Sequence, residues 1–291
     1  MEDNEKLYFM AFSFLPGIGP QRFALLKKYF GSAQKAWEAS ESDLLKTGLS
    51  FSLVRQLVAF RQKANLPSLF LRLRENNQEC QILADKKYPE NLKKIDNPPF
   101  VLFFKGQIKP LDRRALAVVG SRQMSSYGFQ ITQKLVGELV KKKMTIVSGL
   151  ARGIDTVAHQ TALKMGGRTL AVLAGGLDKI YPPENQRLAQ EISKGQGALI
   201  SEYPPGFPLN KGHFPARNRL IAGLSLGVLV IEGTDKSGSL ITARHAADQG
   251  KEVFAVPGPI SSSLSQAPLL LIKQGAKVVQ NVEDILEELF I

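Results

Sequence analysis

The feature that most constrains this chain is a repeated alternation of short apolar strands and amphipathic helices in its second part. Apolar segments with the character of strands begin near Ala115, Met144, Thr169, Ala198, Gly227 and Glu252. Their spacing of 25 or 29 residues is the length of one strand–helix unit. Six such units predict an α/β fold, a doubly wound and mostly parallel, extended Rossmann-like sheet with helices on both faces.

The first 80 residues have a different pattern. Apolar residues recur every three or four positions in segments such as PQRFALLKKYFG and SLVRQLVAFRQKA, which is typical of helices. We therefore expect a small all-helical N-terminal domain over residues 1–80. Prolines and lysines predict a linker over residues 81–110, with Phe100–Phe104 as an edge strand. Residues 111–291 are then the Rossmann-like domain, which ends in a short acidic helix.

A glycine-rich turn joins two of the predicted N-terminal helices. Its sequence, LPGIGP, places Gly17 and Gly19 where a helix-hairpin-helix motif has two glycines that let the backbone approach a DNA phosphate. This pattern predicts a possible weak contact with duplex DNA. The same glycines are equally expected in a tight turn between helices that binds nothing.

The charge of the chain favours a polyanionic partner. The formal net charge is +12 and the sequence pI is about 9.7, with most of the excess between residues 106 and 279. Such a chain gains affinity for nucleic acid through counterion release, although a basic surface also serves solubility. The single cysteine, Cys80, excludes an intrachain disulfide and a cysteine-only metal site. An acidic start and no long apolar run predict a cytoplasmic protein without a membrane span.

The loop after the first of the six strands carries a potential phosphate ligand. Ser121 and Arg122 follow Gly120, and the amides of the next helix can add to their hydrogen bonds. This loop lacks the Gly-x-Gly-x-x-Gly of dinucleotide enzymes, and no Gly-Lys-Ser/Thr of a P-loop occurs in the chain. NAD, FAD and ATP are therefore disfavoured, and no cofactor is expected.

The next strand is followed by a second loop of the same kind. Ser148, Gly149, Arg152 and Gly153 extend the predicted anion site because the carboxyl ends of parallel strands meet at one edge of a sheet. Two further residues, Asp155 and His159, have the spacing of a metal pair, but no third ligand is evident, so no metal is predicted. Asp155 is better explained as a carboxylate that complements the helix dipole than as a catalytic acid.

Two arginines stand at the start of a later helix. Arg217 and Arg219 lie in HFPARNRL, where the helix dipole and the guanidinium groups act together on an anion. Buried ion pairs with Glu202 and Glu232 are the alternative, and both roles can coexist. In the loop after the third strand, Tyr181 is placed either to stack on a base or to cover the sheet edge.

The loop after the fifth strand adds small polar residues at a helix start. Ser237, Gly238 and Ser239 form a potential nest of backbone amides for phosphate. One loop of this type is weak evidence, whereas five on one sheet edge predict a track for the backbone of a polynucleotide.

Several of these segments together resemble the DprA/Smf family (DNA-processing protein A). The resemblance rests on VVGSRQMSSYG, VSGLARGIDTVAHQTAL, AGGLDKIYPPEN, ISEYPPG, HFPARNRLIAGLS and SGSLITARHAADQGKEVFAVPG. It covers residues 85–260 strongly, and the N-terminal helices fit the small sterile-alpha-motif-like or helix-hairpin-helix module of that family.

The resemblance implies a function. It implies a non-enzymatic, single-stranded DNA-binding protein that protects incoming DNA in natural transformation and competence and helps load a RecA-type recombinase. It also implies a homodimer through the Rossmann-like domains. By motif, the DNA-binding residues carried over are Ser121, Arg122, Gly149–Gly153, Arg217, Asn218 and Arg219, with Phe214 as a stacking neighbour.

The chain departs from the family pattern in two places. Some relatives have a lysine after the Tyr-Pro of the third loop, where this chain has Pro183, so Lys179 is the candidate for that contact. Many relatives continue into a winged helix, whereas this chain ends in VEDILEELFI.

An enzyme is the alternative hypothesis. Rossmann-like nucleotide N-glycosidases of the lysine-decarboxylase-like group have a glycine-rich loop and an acid similar to EGTDKSGSLITA. In that case Arg217 would hold a phosphate and Glu232 would assist cleavage of the ribose–base bond. The full Pro-Gly-Gly-x-Gly-Thr-x-x-Glu pattern of that group is not intact here.

Overall fold

The N-terminal part of the chain is helical, as its periodicity predicts. The structure is a computed structural model that describes residues 2–289. Its first helices are α1 (Glu2–Ser13), α2 (Pro20–Phe30), α3 (Ala33–Glu38), α4 (Glu41–Lys46), α5 (Phe51–Lys63) and α6 (Leu66–Glu75). Ser32, Ser40 and Ser50 precede α3, α4 and α5, and each hydroxyl accepts a hydrogen bond from an amide of the first turn. The sequence pattern missed α4, which is only six residues long.

The rest of the chain is built on one sheet. Its strands are β1 (Glu79–Ile82), β2 (Val101–Gly106), β3 (Ala115–Val119), β4 (Thr145–Ser148), β5 (Thr169–Val172), β6 (Gly197–Ser201), β7 (Gly227–Val230), β8 (Glu252–Ala255) and β9 (Lys277–Val278). The strand order is β1-β2-β6-β5-β4-β3-β7-β8-β9. From β6 to β9 all neighbours are parallel, whereas β1–β2 and β2–β6 are antiparallel. The predicted mostly parallel sheet is confirmed.

Helices cover both faces of this sheet. They are α7 (Glu90–Lys93), α8 (Ser126–Lys141), α9 (Ile154–Lys164), α10 (Gln186–Lys194), α11 (His213–Leu224), α12 (Gly238–Asp248), α13 (Gln266–Lys273) and α14 (Glu283–Glu288). Alternate strand residues point to opposite faces, so Ala117 packs with the α11 and α12 side and Leu116 with the α8 and α9 side. The doubly wound arrangement and the short acidic C-terminal helix are as predicted.

The segment 100–104 is not an edge strand, and this prediction was wrong. β2 lies between β1 and β6 and forms antiparallel ladders with both, for example Phe103 with Cys80 and with Ser201. The edge is β1, whose residues alternate between more exposed and buried positions but whose length of four residues is too short to be recognised in the sequence. The sheet therefore begins at Glu79, inside the segments that the sequence assigned to the helical domain and the linker.

The N-terminal helices share a hydrophobic core with the sheet. One cluster of buried residues runs from α1 and α2 through β2 to Leu188 and Ile192 of α10. At its centre the rings of Phe23 and Phe100 stack with centroids 4.1 Å apart. The helical region is therefore packed firmly against the sheet.

No helix within residues 2–289 has the length and apolar character that crossing a membrane requires.

Candidate functional site

Loops from several strands and the start of one helix enclose a cleft at the carboxyl edge of the parallel strands. We call it the arginine cleft, and it is lined by Arg122, Gly149, Ala151, Arg152, Tyr181, Pro182, Phe214 and Arg217. Arg122 follows β3, the segment 149–152 follows β4, Tyr181 follows β5, and Phe214 and Arg217 lie on α11. Since all these strands are parallel, their following loops gather at one edge. The cleft therefore brings together three arginines that the sequence predicted as anion ligands, Arg122, Arg152 and Arg217, and the predicted stacking residue Phe214.

One wall of the cleft combines a guanidinium group with two aromatic rings. The Arg122 guanidinium lies over the Phe214 ring, with its carbon 5.7 Å from the ring centroid. The Tyr181 ring meets Phe214 edge to face, with centroids 5.6 Å apart. Arg122 and Tyr181 are exposed. Flat rings next to an exposed cation provide the two contacts that a nucleotide needs, one for the base and one for the phosphate.

The second arginine of the cleft is buried. Arg217 is only 4% exposed. Its Nη1 donates to the carbonyl oxygens of Gly149, at 2.7 Å, and Val172. Burial lowers the pKa of Arg217 to about 10, so the group remains charged at neutral pH. Gly149 is required beside it, since a Cβ atom there would lie 2.6 Å from the guanidinium.

Arg152 lies at the mouth of the cleft and is paired. Its Nε donates to Glu184 Oε1, and both side chains are about half exposed. This hydrogen bond holds the pKa of Glu184 below its ordinary value, so the carboxylate is ionised at neutral pH. A phosphate that contacts Arg152 has to compete with Glu184.

Backbone contacts fix the relative positions of the loops. Gly153 has a φ of +72°, and a Cβ atom at this position would lie 2.2 Å from the Ser121 carbonyl oxygen. That oxygen accepts a hydrogen bond from Ile154 N at 3.1 Å, which ties the loops after β3 and β4 together. The Asn185 amide donates to Leu150 O at 2.9 Å and ties in the loop after β5. The cleft is therefore preformed.

The amides after β4 already have a partner from the same chain. The Asp155 carboxylate accepts from Gly149 N at 3.0 Å and from Ala151 N at 3.3 Å. Burial raises the pKa of this carboxyl group, and the positive charge of Arg217 opposes the increase. Asp155 therefore occupies the amides of Gly149 and Ala151 within the predicted anion site.

A second carboxylate occupies the start of α8. Glu232, which follows β7, accepts from the backbone and the hydroxyl of Ser125, the N-cap of this helix. Gly128 makes room for it, since a Cβ atom there would lie 2.1 Å from Glu232 Oε2. β3 and β7 are neighbours at the point where the strand order reverses, so this carboxylate fills the crevice in which Rossmann-like folds bind their ligands.

Ser148 is a predicted DNA contact that the structure contradicts. Its side chain is fully buried, and its hydroxyl donates to Val118 O of the neighbouring strand at 2.7 Å. Ser121 lies near the cleft, but its hydroxyl is engaged with the backbone of Gln123. The anion-binding capacity of this edge therefore resides in arginine side chains more than in hydroxyl groups.

Other predicted residues lie outside the cleft. Lys179 is exposed on the loop after β5 but does not line the cleft. Arg219 forms a largely buried ion pair with Glu202, one of the pairs that the sequence left open. Asn218 links α11 to the next loop through a 3.3 Å hydrogen bond to Gly238 O.

The serines of the loop after β7 are used within the fold. Ser237 caps α12, its hydroxyl contacts that of Ser239 at 2.8 Å, and Ser239 is buried. Gly238 is exposed but does not line the cleft. The predicted amide nest therefore lies apart from the three arginines.

Tyr181 lines the cleft, although stacking on a base was only one of its two predicted roles, and Glu184, which the sequence did not suggest, pairs with Arg152 of the cleft. The sequence allowed Tyr181 to stack on a base or to cover the sheet edge. Its edge-to-face contact with Phe214 favours the first role, because it places the Tyr181 ring in the cleft. Among the described residues, no group of three or more His, Cys, Asp or Glu side chains is arranged to hold a metal ion.

The fold and the cleft define an α/β protein that presents clustered arginines and aromatic rings at the carboxyl edge of a parallel sheet. A sequence profile of the DNA recombination-mediator protein A family matches residues 79–290. The chain belongs to this family.

Two relatives illustrate the extent of the similarity. The chain is 42% identical over 264 residues to the DNA processing protein DprA of Bacillus subtilis, an alignment that covers 88% of this chain and 89% of the relative. It is 46% identical over 206 residues to the DNA processing protein DprA of Streptococcus pneumoniae, with 71% and 72% of the two chains covered.

Solved structures show the same similarity. An X-ray structure of DNA processing protein A from Streptococcus pneumoniae superposes with a TM-score of 0.83 and 36% identity, and it covers 98% of this chain and 97% of the other. A structure of DNA processing protein A from Helicobacter pylori, which describes the single-stranded DNA binding mode of that protein, superposes with a TM-score of 0.65 and 33% identity. That comparison covers 73% of this chain and 96% of the other.

Proposed function

We propose that this protein binds single-stranded DNA in the arginine cleft and acts by binding, not by catalysis. The observation that carries the proposal is the convergence of Arg122, Phe214, Tyr181 and Arg217 from separate parts of the sequence. Single-stranded nucleic acid is held by aromatic rings on which bases stack and by cations that track the backbone. The Helicobacter pylori relative, which binds single-stranded DNA, supports this choice.

Each part of the cleft has its own role in this proposal. The exposed Arg122 contacts a phosphate or stacks on a base, and Phe214 with Tyr181 offers the adjoining aromatic surface. Arg217 is buried against backbone carbonyls, so it supplies a fixed positive potential and keeps the loops in place. The net charge of +12 adds a long-range attraction that is independent of base sequence.

The wider role follows from the family. The protein would protect incoming DNA in the cytoplasm during natural transformation and help load a RecA-type recombinase, as a homodimer through its Rossmann-like domain. Light scattering of the purified protein tests the dimer. The recombinase role is tested by strand exchange with a RecA-type protein on DNA coated by a single-strand binding protein, where addition of this chain should shorten the lag.

The central test separates charge from stacking at the cleft. Arg122→Ala is expected to weaken single-stranded DNA binding about tenfold for all base sequences and to lower the salt slope by about 0.7. Phe214→Leu is expected to weaken binding by a similar factor with an unchanged salt slope, because it removes stacking worth about 1–3 kcal/mol per base. Fluorescence anisotropy with labelled oligonucleotides at several salt concentrations measures both quantities.

The matched control is Arg187→Ala. Arg187 is an exposed arginine on α10 whose side chain is 91% exposed and does not line the cleft. Its replacement removes the same charge and should change affinity by less than about twofold. Equal effects of Arg122→Ala and Arg187→Ala would show that binding depends on overall charge and would contradict a cleft.

The geometry gives little support to the nucleotide N-glycosidase alternative. Glu232, the acid which that reaction would use, is buried and holds Ser125 at the start of α8. It does not line the cleft in which Arg217 would hold a phosphate. Release of free base from a nucleoside monophosphate, with loss of the activity in Glu232→Gln, is the result that would favour the enzyme.

A further inference from the structure

A second cavity lies on the other side of the start of α11. It has a volume of about 570 Å³ and separates the N-terminal hairpin from the sheet. We call it the hairpin groove, and its walls include residues 17–22 on one side and Tyr203, Phe207, His213 and Arg219 on the other. This volume is within the range of roughly 300–1,000 Å³ that is usual for ligand sites.

Helix α11 separates the groove from the arginine cleft. His213, Ala216 and Arg219 line the groove, whereas Phe214 and Arg217 line the cleft. Residues three apart share a helix face, and consecutive residues are about 100° apart around the axis. The two cavities therefore adjoin along the first turns of one helix, and a chain that leaves the cleft over Phe214 reaches the groove at His213.

The groove contains the types of groups that bind a nucleotide. Tyr203 stacks on His213 with centroids 4.5 Å apart and on Phe207 with centroids 5.0 Å apart. On the opposite wall, Arg22 is exposed and uses Nη1 for a hydrogen bond to Gly17 O. Glu202 is neutralised by Arg219. The groove thus offers flat rings and one exposed positive charge without an opposing unpaired acid.

Gly19, the N-cap of α2, is not required to be glycine by its backbone conformation or by close packing. Gly17 has a φ of +94°, a conformation that favours glycine. Gly19 has a φ of −88°, and a Cβ atom there would meet nothing within 4 Å. The fold therefore tolerates a side chain at Gly19, and glycine leaves the backbone open towards the groove.

We infer that the hairpin groove is a second nucleotide subsite for the same single strand that the arginine cleft binds. A phosphate contacts Arg22 and the Gly19 backbone, and the base lies against the ring stack that contains Tyr203. The subsite rests on the proposed function, because the strand reaches it from the cleft. It assigns the N-terminal hairpin to single-stranded DNA, in place of the weak duplex contact that its two glycines suggest.

The test uses a pair of variants at Gly19. Gly19 is the N-cap of α2, where Asp and Asn are both favoured caps, so neither Gly19→Asp nor Gly19→Asn should destabilise the fold. They differ in charge. Gly19→Asp is expected to bind oligothymidylate of roughly sixteen nucleotides about three- to tenfold more weakly than Gly19→Asn, and to bind one of roughly four nucleotides equally well. Thermal unfolding checks that both variants are folded.

Arg22→Ala provides an independent measurement. It should weaken binding of the longer oligonucleotide only, whereas Arg122→Ala should weaken binding of both lengths. Arg74→Ala removes an exposed arginine of α6 that lines neither cavity and should have no effect.

Three outcomes would contradict the subsite. The first is that the Gly19→Asp and Gly19→Asn variants bind both lengths of oligonucleotide with equal affinity. This result contradicts the subsite alone if the unsubstituted protein binds and Arg122→Ala weakens binding. An effect of Gly19→Asp on duplex DNA alone would assign the hairpin to duplex binding instead. Failure of Arg122→Ala to weaken either length would contradict the proposed function and the subsite together.

Discussion

Arg122 and Arg217, which form no salt bridge in the described part of the chain, lie in opposite environments. Arg122 is exposed, and its guanidinium lies over the Phe214 ring, so it is accessible to a ligand. Arg217 is buried, and backbone carbonyl groups hold its guanidinium. An accessible charge at the surface and a buried charge below it suit a ligand whose backbone is uniform and whose bases vary.

Glu184 reduces the charge that the cleft presents. Its carboxylate is ionised at neutral pH and competes with DNA phosphate for Arg152. Because exposed ion pairs contribute only about 0–1 kcal/mol, Arg152 is released at little cost. We expect Glu184→Gln to bind single-stranded DNA about two- to fivefold more tightly and with a steeper salt dependence, measured by anisotropy titration.

The control for this prediction is Glu191→Gln. Glu191 forms a comparable exposed pair with Arg187 on α10, away from the cleft. Its replacement also removes one negative charge and should leave the affinity nearly unchanged. The same gain in both variants would mean that net charge, and not the release of Arg152, sets the affinity.

A buried histidine makes the fold sensitive to acid. His159 is fully buried, and its Nδ1 lies 2.6 Å from the hydroxyl of Thr169. Thr169 donates to Ile146 O, so it accepts from His159 and leaves Nε2 without a partner. Burial, assisted by the charge of Arg217, lowers the pKa of His159 to about 3.

The sign of the pH dependence follows from this lowered pKa. Between pH 6.5, the ordinary histidine pKa, and pH 3, only the unfolded chain takes up the proton, so acid favours unfolding. Lowering the pH from 7 to 5 should cost about 2 kcal/mol of unfolding free energy through this group. Urea unfolding at the two pH values should show this loss in the unsubstituted protein and a smaller loss in His159→Phe. An equal loss in both would show that other groups cause the acid sensitivity.

The sequence predicted Arg122, Arg152 and Arg217 as neighbours and Asp155 as a carboxylate at a helix start, but it also grouped Arg219 with the cleft and did not predict Glu232 at the start of α8. Arg122 and Arg217 could be placed together because each lies in a segment that follows a parallel strand, Arg122 in the loop after β3 and Arg217 near the start of the helix after β6. Glu232 is 107 positions from Ser125, its hydrogen-bond partner. Helix starts attract any anion, and no local pattern links Glu232 to a helix start so far away in the sequence.

At the scale of elements, α11 is the helix on which both cavities depend. Its first turns carry Phe214 and Arg217, and its last turn contains no basic residue. Lys251, which follows α12, supplies the positive charge at this end of the helix instead. Its ammonium group donates to the carbonyl oxygens of Ala222, Gly223 and Ser225, each at 2.8 Å. Burial lowers the pKa of Lys251 to about 8, so it is still protonated at neutral pH.

Lys251→Met should therefore destabilise the protein. The variant removes the ammonium donor that three carbonyl groups at the end of α11 share, of which Ala222 O keeps a hydrogen bond from Ser225 N, and we expect a loss of about 2–4 kcal/mol in unfolding free energy. Denaturant unfolding measures it, and hydrogen exchange should show faster opening at the C-terminal end of α11. Lys273→Met, at an exposed position on α13, should change stability by less than about 0.5 kcal/mol. Similar small effects in both variants would show that Lys251 is not a structural cap.

Periodicity predicted the parallel elements well because each strand–helix unit repeats a local pattern. It failed for β1 and β2, whose position depends on antiparallel pairing and not on any local repeat. The pattern predicted a strand at Phe100–Phe104, which the structure places at Val101–Gly106, but it had no means of placing this strand inside the sheet. Short elements such as β1 and α4 carry too few residues for a periodic signal.

At the scale of the whole molecule, an aromatic chain connects the helical region to the sheet. Trp37 meets Phe12 edge to face at 5.3 Å, Phe12 meets Phe23 at 5.5 Å, and Phe23 stacks on Phe100 at 4.1 Å. All four residues belong to one buried cluster that continues to α10. The hairpin groove lies between the same two parts, so its shape depends on this packing.

The helical region and the sheet should consequently unfold in one transition. Trp37 is the single tryptophan and reports on the helical region, while hydrogen exchange of β4 and β5 reports on the sheet. The two probes should give the same denaturant midpoint. Phe23→Leu removes the ring contacts at the junction and should lower both midpoints together, through a loss of about 1–2 kcal/mol in unfolding free energy. The control is Leu25→Ala, at an exposed position on α2, which should lower neither midpoint appreciably. If Phe23→Leu shifts only the Trp37 signal, the helical region unfolds independently and cannot hold the hairpin groove at a fixed width.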